Sequence, residues 1–235
     1  MSMLTMVQSA CVRLGLPSPN AVATSTDTQY LQLLALLNEE GSELSARTEW
    51  QALMREATFT TLAAELQSAI DTIAPGLNYI VNDTIWNRTL RRPVFGPLGA
   101  QRWQQQKAMQ LNGPWNQYRI KQNGIYFYPA PASGQSCYFE YVSKYFALAV
   151  DGTTYKAAFT ADDDTSMHNE DILTLGLIWR WKANKGLDFS VDYQKYENRV
   201  LDAIGRDGAK PILNMGEAKY DIIPAIVVPA GSWSL

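Results

Sequence analysis

Residues 118–128 read YRIKQNGIYFY, and this stretch decides what the middle of the chain is. Bulky apolar side chains alternate on both sides of Asn123-Gly124. An Asn-Gly pair between two alternating segments is the signature of a type I′ hairpin, whose turn residues need positive φ. Working outward, Pro129, Pro131 and Gly134 mark the next turn, and CYFEYVSKY from Cys137 reads as a further strand. Upstream, ATFTTL from Ala57, SAIDTI from Ser68 and YIVNDTIWNRTL from Tyr79 are rich in β-branched and aromatic residues. Turn formers such as Pro75-Gly76 and Asn82-Asp83 separate them. Gln101 to Leu111 has the pattern of a short helix. Residues 56–164 are therefore expected to be an antiparallel β-rich insertion holding one short helix.

Helical periodicity flanks this region. Met6, Val7, Ala10, Cys11 and Leu14 lie on one face of a helix that Gly15 and Pro17 end. Thr26 with Gln29 has the spacing of a capping box. It opens a second helix with the stripe Tyr30, Leu33, Leu34, Leu37 and Leu44. On the far side, Asn169 is placed to cap a third helix, with Glu170 and Asp171 in its positive first turn. Ile172 to Ala183 is apolar on nearly every side, so that helix should be buried, and Gly186 should terminate it. Ser190 is expected to cap a fourth helix carrying Tyr193, Tyr196, Val200 and Ile204. The fold class expected is α+β. A mainly α-helical body of four main helices, residues 1–55 with 165–210, carries the insertion and an extended C-terminal arm, residues 211–235.

The arm is unusual. Its last fourteen residues, Ile222 to Leu235, carry no charged side chain. Pro224 and Pro229 argue against a helix or a central strand. An apolar extended segment calls for a surface to lie on, with Ile222, Ile223, Pro224, Ile226, Val227, Val228 and Trp233 as docking side chains. Burying ~800 Å² of apolar surface would return about 20 kcal/mol at about 25 cal/mol per Å². Ordering these residues at roughly 1–2 kcal/mol each offsets nearly all of that. One arm is then a weak clasp, and many identical arms act by avidity.

Composition narrows the functional classes. At 235 residues with 46% hydrophobic and 18% charged side chains, the chain is expected to fold as a soluble protein. A net charge of −3 argues against a general nucleic-acid binder and suits a surface that DNA passes without sticking. The two cysteines, Cys11 and Cys137, do not form a CxxC pair and are expected to be reduced thiols. No secretory signal and no membrane-spanning run are expected.

The side chains that could carry chemistry read mostly as structure. His168 is the single histidine and lies in a loop approaching a helix. One imidazole without clustered thiols does not make an ordinary zinc site. Asp162, Asp163 and Asp164 lack the spaced ligands of an EF-hand and read as a solvated acidic loop. Glu39 and Glu40 point about 100° apart on a helix and are no preset acid/base pair. One basic-aromatic cluster exists: Arg88, Arg91 and Arg92 beside Trp86, with Arg102, Trp103 and Lys107 nearby. Contact with DNA and contact with a neighbouring subunit both remain open for its arginines. Trp179 is expected in the core and Trp181 at an interface. No cofactor-binding motif, phosphate loop or nucleophile elbow occurs.

Three segments carry a resemblance: EWQALMREATFTTLA, DTIWNRTLRRPVFGP and ILTLGLIWRWKANKGLDFSVDYQKYENRV. Together they make residues 3–216 resemble the head-to-tail adaptor proteins of short-tailed bacteriophages. The resemblance implies a non-enzymatic structural subunit without cofactors. It implies a ring, usually of twelve copies, that docks beneath the portal, extends the DNA channel and offers a platform to tail or nozzle proteins. The expected place is the virion's head-tail junction, after synthesis in the host cytoplasm and without a membrane. The C-terminal segment of such proteins reaches the portal, which carries over here as a position, residues 211–235. Two alternatives stay open: another neck or tail-tube subunit, and a carbohydrate-active hydrolase, which would need two placed carboxylates in a cleft.

Overall fold

A computed structural model of the chain describes residues 1–109, 113 and 115–208. Among these are six α-helices and eleven strands, so the molecule is a mixed α and β protein rather than a mainly helical one. The helices are α1 (Met3–Leu14), α2 (Thr28–Arg47), α3 (Ile70–Ile73), α4 (Ala100–Met109), α5 (Glu170–Asn184) and α6 (Ser190–Arg206). The longer strands are β1 (Met54–Thr60), β2 (Leu66–Ala69), β3 (Leu77–Ile80), β6 (Gln117–Lys121), β7 (Gly124–Tyr128) and β8 (Ser136–Ser143). Two-residue strands complete the set: β4 (Trp86–Asn87), β5 (Arg92–Pro93), β9 (Ala147–Leu148), β10 (Tyr155–Lys156) and β11 (Thr165–Ser166). The four long helices expected from the sequence are α1, α2, α5 and α6. α3 is a single turn that interrupts the expected strand SAIDTI.

α5 is the axis of the helical part. α1, α2 and α6 all pack against it. Enclosed on three sides, it has no solvent face to keep polar, which explains its continuous run of buried residues from Ile172 to Ile178. The Asn169 side chain accepts from the Asp171 N–H, as its position suggested. Gly186 adopts φ 69° just beyond the helix end. Two caps differ from expectation. Asp27, not Thr26, caps α2, accepting from the Gln29 N–H at 2.9 Å. α6 has no side-chain cap; the Asp188 carboxylate instead takes both the N–H and the hydroxyl of Ser190.

β8 organises the sheets. It pairs antiparallel with β1 along seven residues, Met54↔Val142 to Thr60↔Ser136, and on its other edge with β3 and β4. β2, β7 and β6 form a second antiparallel sheet, and β10, β9 and β11 a third. The hairpin signalled by Asn123-Gly124 exists but is shifted by one residue. Lys121 pairs with Gly124, so Gln122 and Asn123 are the turn residues, with φ 49° and 58°. Gly124 belongs to β7, where a Cβ would press on the Leu66 side chain at 2.8 Å. The glycine serves the close approach of β2, and the turn relies on αL-tolerant Asn123.

Two apolar clusters hold the chain. One joins α1, α2, α5 and α6 with Trp50, Leu53, Val142, Phe146, Ala147 and Phe159. The other lies among the strands, around Phe59, Ile85, Tyr118, Phe127, Phe139 and Tyr141. Their aromatic rings meet edge to face, as with Phe59 and Phe127 at 5.7 Å.

Candidate functional site

The buried polar chemistry of the helical part centres on Glu40. It lies on the apolar stripe of α2 between Leu37 and Leu44, fully buried. Its carboxylate accepts from the Arg180 Nε of α5 at 2.7 Å and from the Tyr196 hydroxyl of α6. Arg180 also reaches Glu39, at 2.9 Å, and Glu43. Burial pushes the Glu40 carboxyl up; the Tyr196 hydroxyl and Arg180 oppose it. Gly176 makes room, since a Cβ there would collide with the Glu40 carboxylate. This triad ties three helices together. The sequence reading missed it because the partners are 140 and 156 residues away. The available signal was an acidic residue at helical spacing within a leucine stripe.

The acidic run is a lock between segments rather than a solvated loop. The Asp162 Oδ1 accepts from the N–H groups of Val22 and Ala23, both at 2.9 Å. The Asp164 side chain is 1% exposed and accepts from Lys156 Nζ at 2.8 Å and from the N–H groups of Thr160 and Ala161. Burial pushes its carboxyl up, but Lys156 and the backbone donors outweigh this and hold it below the ordinary range. Only Asp163 of the three is exposed.

His168 is buried, stacked on Phe146 and edge-on to Trp50. The Ser45 hydroxyl gives its proton to the Gly41 carbonyl, so the His168 Nε2–H donates to Ser45 Oγ at 2.8 Å. Burial lowers the imidazole pKa to about 4. His168 borders a cleft of about 340 Å³ shared with Trp50, Asp171, Arg199, Asp202 and Arg206. A ring that burial holds neutral down to about pH 4 makes a poor general base for that cleft. Among the described residues no group of three His, Cys, Asp or Glu side chains is placed to hold a metal ion. Among them, too, no helix is long and apolar enough to cross a membrane.

The basic-aromatic cluster separates on folding. Arg88 is engaged on the sheet face: its guanidinium bonds Glu56 at 2.7 Å and lies 3.5 Å from the Tyr138 ring centre. Trp103 is 1% exposed, packed on Tyr128, and Lys107 pairs with Glu65 at 2.7 Å. Arg91, at φ 55°, and Arg102, on α4, are exposed. Arg92 lies over the Trp115 ring at 5.5 Å, and Phe95 meets the same ring edge-on at 5.8 Å. The parallel bridge Phe95↔Gln117 brings these two aromatics together across twenty residues. Nothing local in the sequence announces that pair.

The tryptophans of α5 both serve the helical core. Trp181, expected at an interface, is 4% exposed inside the helical core. Trp179, expected in the core, is partly buried and packs on the edge of that core against Phe189, Tyr193 and Tyr196. α6 covers one flank of α5 while α1 and α2 close the others, so a helix with three partners has no single inward face. The arm residues Ile222, Ile223, Pro224, Ile226, Val227, Val228 and Trp233 lie outside the described residues.

A comparison with curated proteins gives no match. The sequence profile of a protein family, described as SU10 adaptor protein, matches residues 1–214. The match spans all six helices and every strand described above. This chain therefore belongs to the SU10 adaptor protein family, a family of structural adaptor proteins of bacteriophages.

Proposed function

We propose that this adaptor forms a homo-oligomeric ring of twelve copies at the head-tail junction of a short-tailed bacteriophage. The ring docks beneath the portal, extends the DNA channel and presents a platform to tail or nozzle proteins. It acts without a cofactor and without a membrane, and the subunit is made in the host cytoplasm before entering the virion. The arm, residues 211–235, clasps the portal or a neighbouring subunit through its uncharged end. Arg88, Arg91, Arg92 and Arg102 are its candidates for contact with DNA or a neighbour. The helical parts, 1–55 with 165–210, act as the body that carries the 56–164 insertion.

The observation that carries this reading is the family match over residues 1–214. The engagement of the conspicuous carboxylates agrees with it. Glu39, Glu40 and Glu43 surround Arg180, and Asp162 and Asp164 bind backbone donors, which leaves them poorly suited to hydrolytic work.

Electron microscopy of the full-length chain mixed with its phage's portal tests the proposal. A twelve-fold ring stacked on the portal is expected, and a chain ending at residue 210 should lose attachment. Binding to tail proteins but not to the portal would instead identify a neck or tail-tube subunit.

A further inference from the structure

We infer that the Arg91–Arg92–Phe95–Trp115 patch of the β region is one half of a head-to-tail contact between copies of this chain, whose other half is the acidic outer face of α2. The inference rests on the ring reading above and assigns its subunit interface.

The patch has the makeup of an interface centre. Phe95 and Trp115 are 45 and 43% exposed, unusual for two large aromatic side chains in mutual contact. Trp and Arg dominate binding hot spots because they offer wide apolar area with polar or charged edges. Here the edge-to-face Phe95–Trp115 pair and the Arg92 guanidinium over Trp115 are assembled before any partner arrives. Little ordering cost then remains on binding.

The α2 face complements it in charge. Its outward side chains include Glu39 and Glu43, which are 53 and 55% exposed. Three glutamates share one guanidinium there, Arg180. The only basic residue of α2, Arg47, is already paired with Glu197. Exposed carboxylates in excess of guanidinium suit an aromatic patch edged with arginine. A protein partner fits better than nucleic acid. Arg88 and Lys107 are neutralised by Glu56 and Glu65, and the chain's net charge is −3. The two faces lie on different elements of one chain. Such a contact is not self-complementary, so copies join head to tail and close into a ring where the rotation permits.

The test uses two full-length variants, each examined by sedimentation velocity alone and on a portal ring. One reverses the patch, Arg91→Glu with Arg92→Glu. The other makes α2 basic without touching the groups around Arg180, Ala35→Arg with Ser42→Arg; both positions are exposed. Circular dichroism should show each folded as the parent. Each variant should associate at least ~100-fold more weakly than the parent, because like charges now oppose. Mixed in equal amounts, they should recover association, since the reversed patch of one meets the basic α2 of the other while the two unaltered faces still pair. Variants that assemble like the parent overturn the assigned faces and leave the ring reading intact. A parent that forms no ring, alone or on the portal, overturns both. Loss of binding to a short DNA duplex in the patch variant, with self-association unchanged, would make the patch a nucleic-acid contact and overturn the inference.

Discussion

At the residue scale, the Glu40–Arg180 pair holds two opposite charges away from water. Desolvating two charges costs about as much as their attraction returns, but removing one partner leaves the other stranded. Arg180→Met should therefore destabilise the chain by about 3–5 kcal/mol in urea unfolding. Adding Glu40→Gln to it should restore most of the loss, the sign of coupling in a double-mutant cycle. His168 sets a pH response. Its folded pKa, about 4, lies below the ordinary 6.5. Between those values the unfolded chain takes up a proton that the native ring refuses, so stability falls as pH drops through the window. Above pH 7 both states are neutral and the effect vanishes. The parent should lose roughly 2–3 kcal/mol more than His168→Gln between pH 7 and pH 4, measured by denaturation at each pH.

At the element scale, the hairpin shows how local and tertiary demands compete. The spacing predicted the turn, but Gly124 is taken by the packing of Leu66 against β7. Gln122 is left in the left-handed region, where a long unbranched side chain gains nothing from local hydrogen bonding. Gln122→Asn should raise stability by up to about 1 kcal/mol, read as a rise in Tm of roughly 2–4 °C. α5 was legible as buried because its apolar run is unbroken. Its contact faces were not, since apolar residues on every side carry no direction. That is why Trp181, expected at an interface, lies in the core. The acidic run was misread for a related reason: carboxylates look solvated until backbone donors from other segments are known to meet them.

At the scale of the whole molecule, β8 joins the two apolar clusters. Cys137, Phe139 and Tyr141 enter the strand cluster, while Val142 enters the helical one. Loosening β8 therefore exposes both. Phe139→Ala should cost about 3–5 kcal/mol and shift tryptophan fluorescence and far-UV circular dichroism to the same lower urea midpoint. Separate midpoints would show that the clusters unfold independently.

The sequence by itself determined the order of elements: two helices, a β-rich middle with a hairpin near residue 123, and two closing helices. It also carried enough extended similarity to point to an adaptor. Periodicity and turn chemistry are local properties, so they survive in a linear reading. Only the tertiary structure decided which side chains meet. Glu40 found Arg180 and Tyr196, Asp162 found the backbone of Val22, and Phe95 found Trp115. These partners lie between 20 and 156 residues apart, and packing and desolvation select them, neither of which has a signature in sequence spacing.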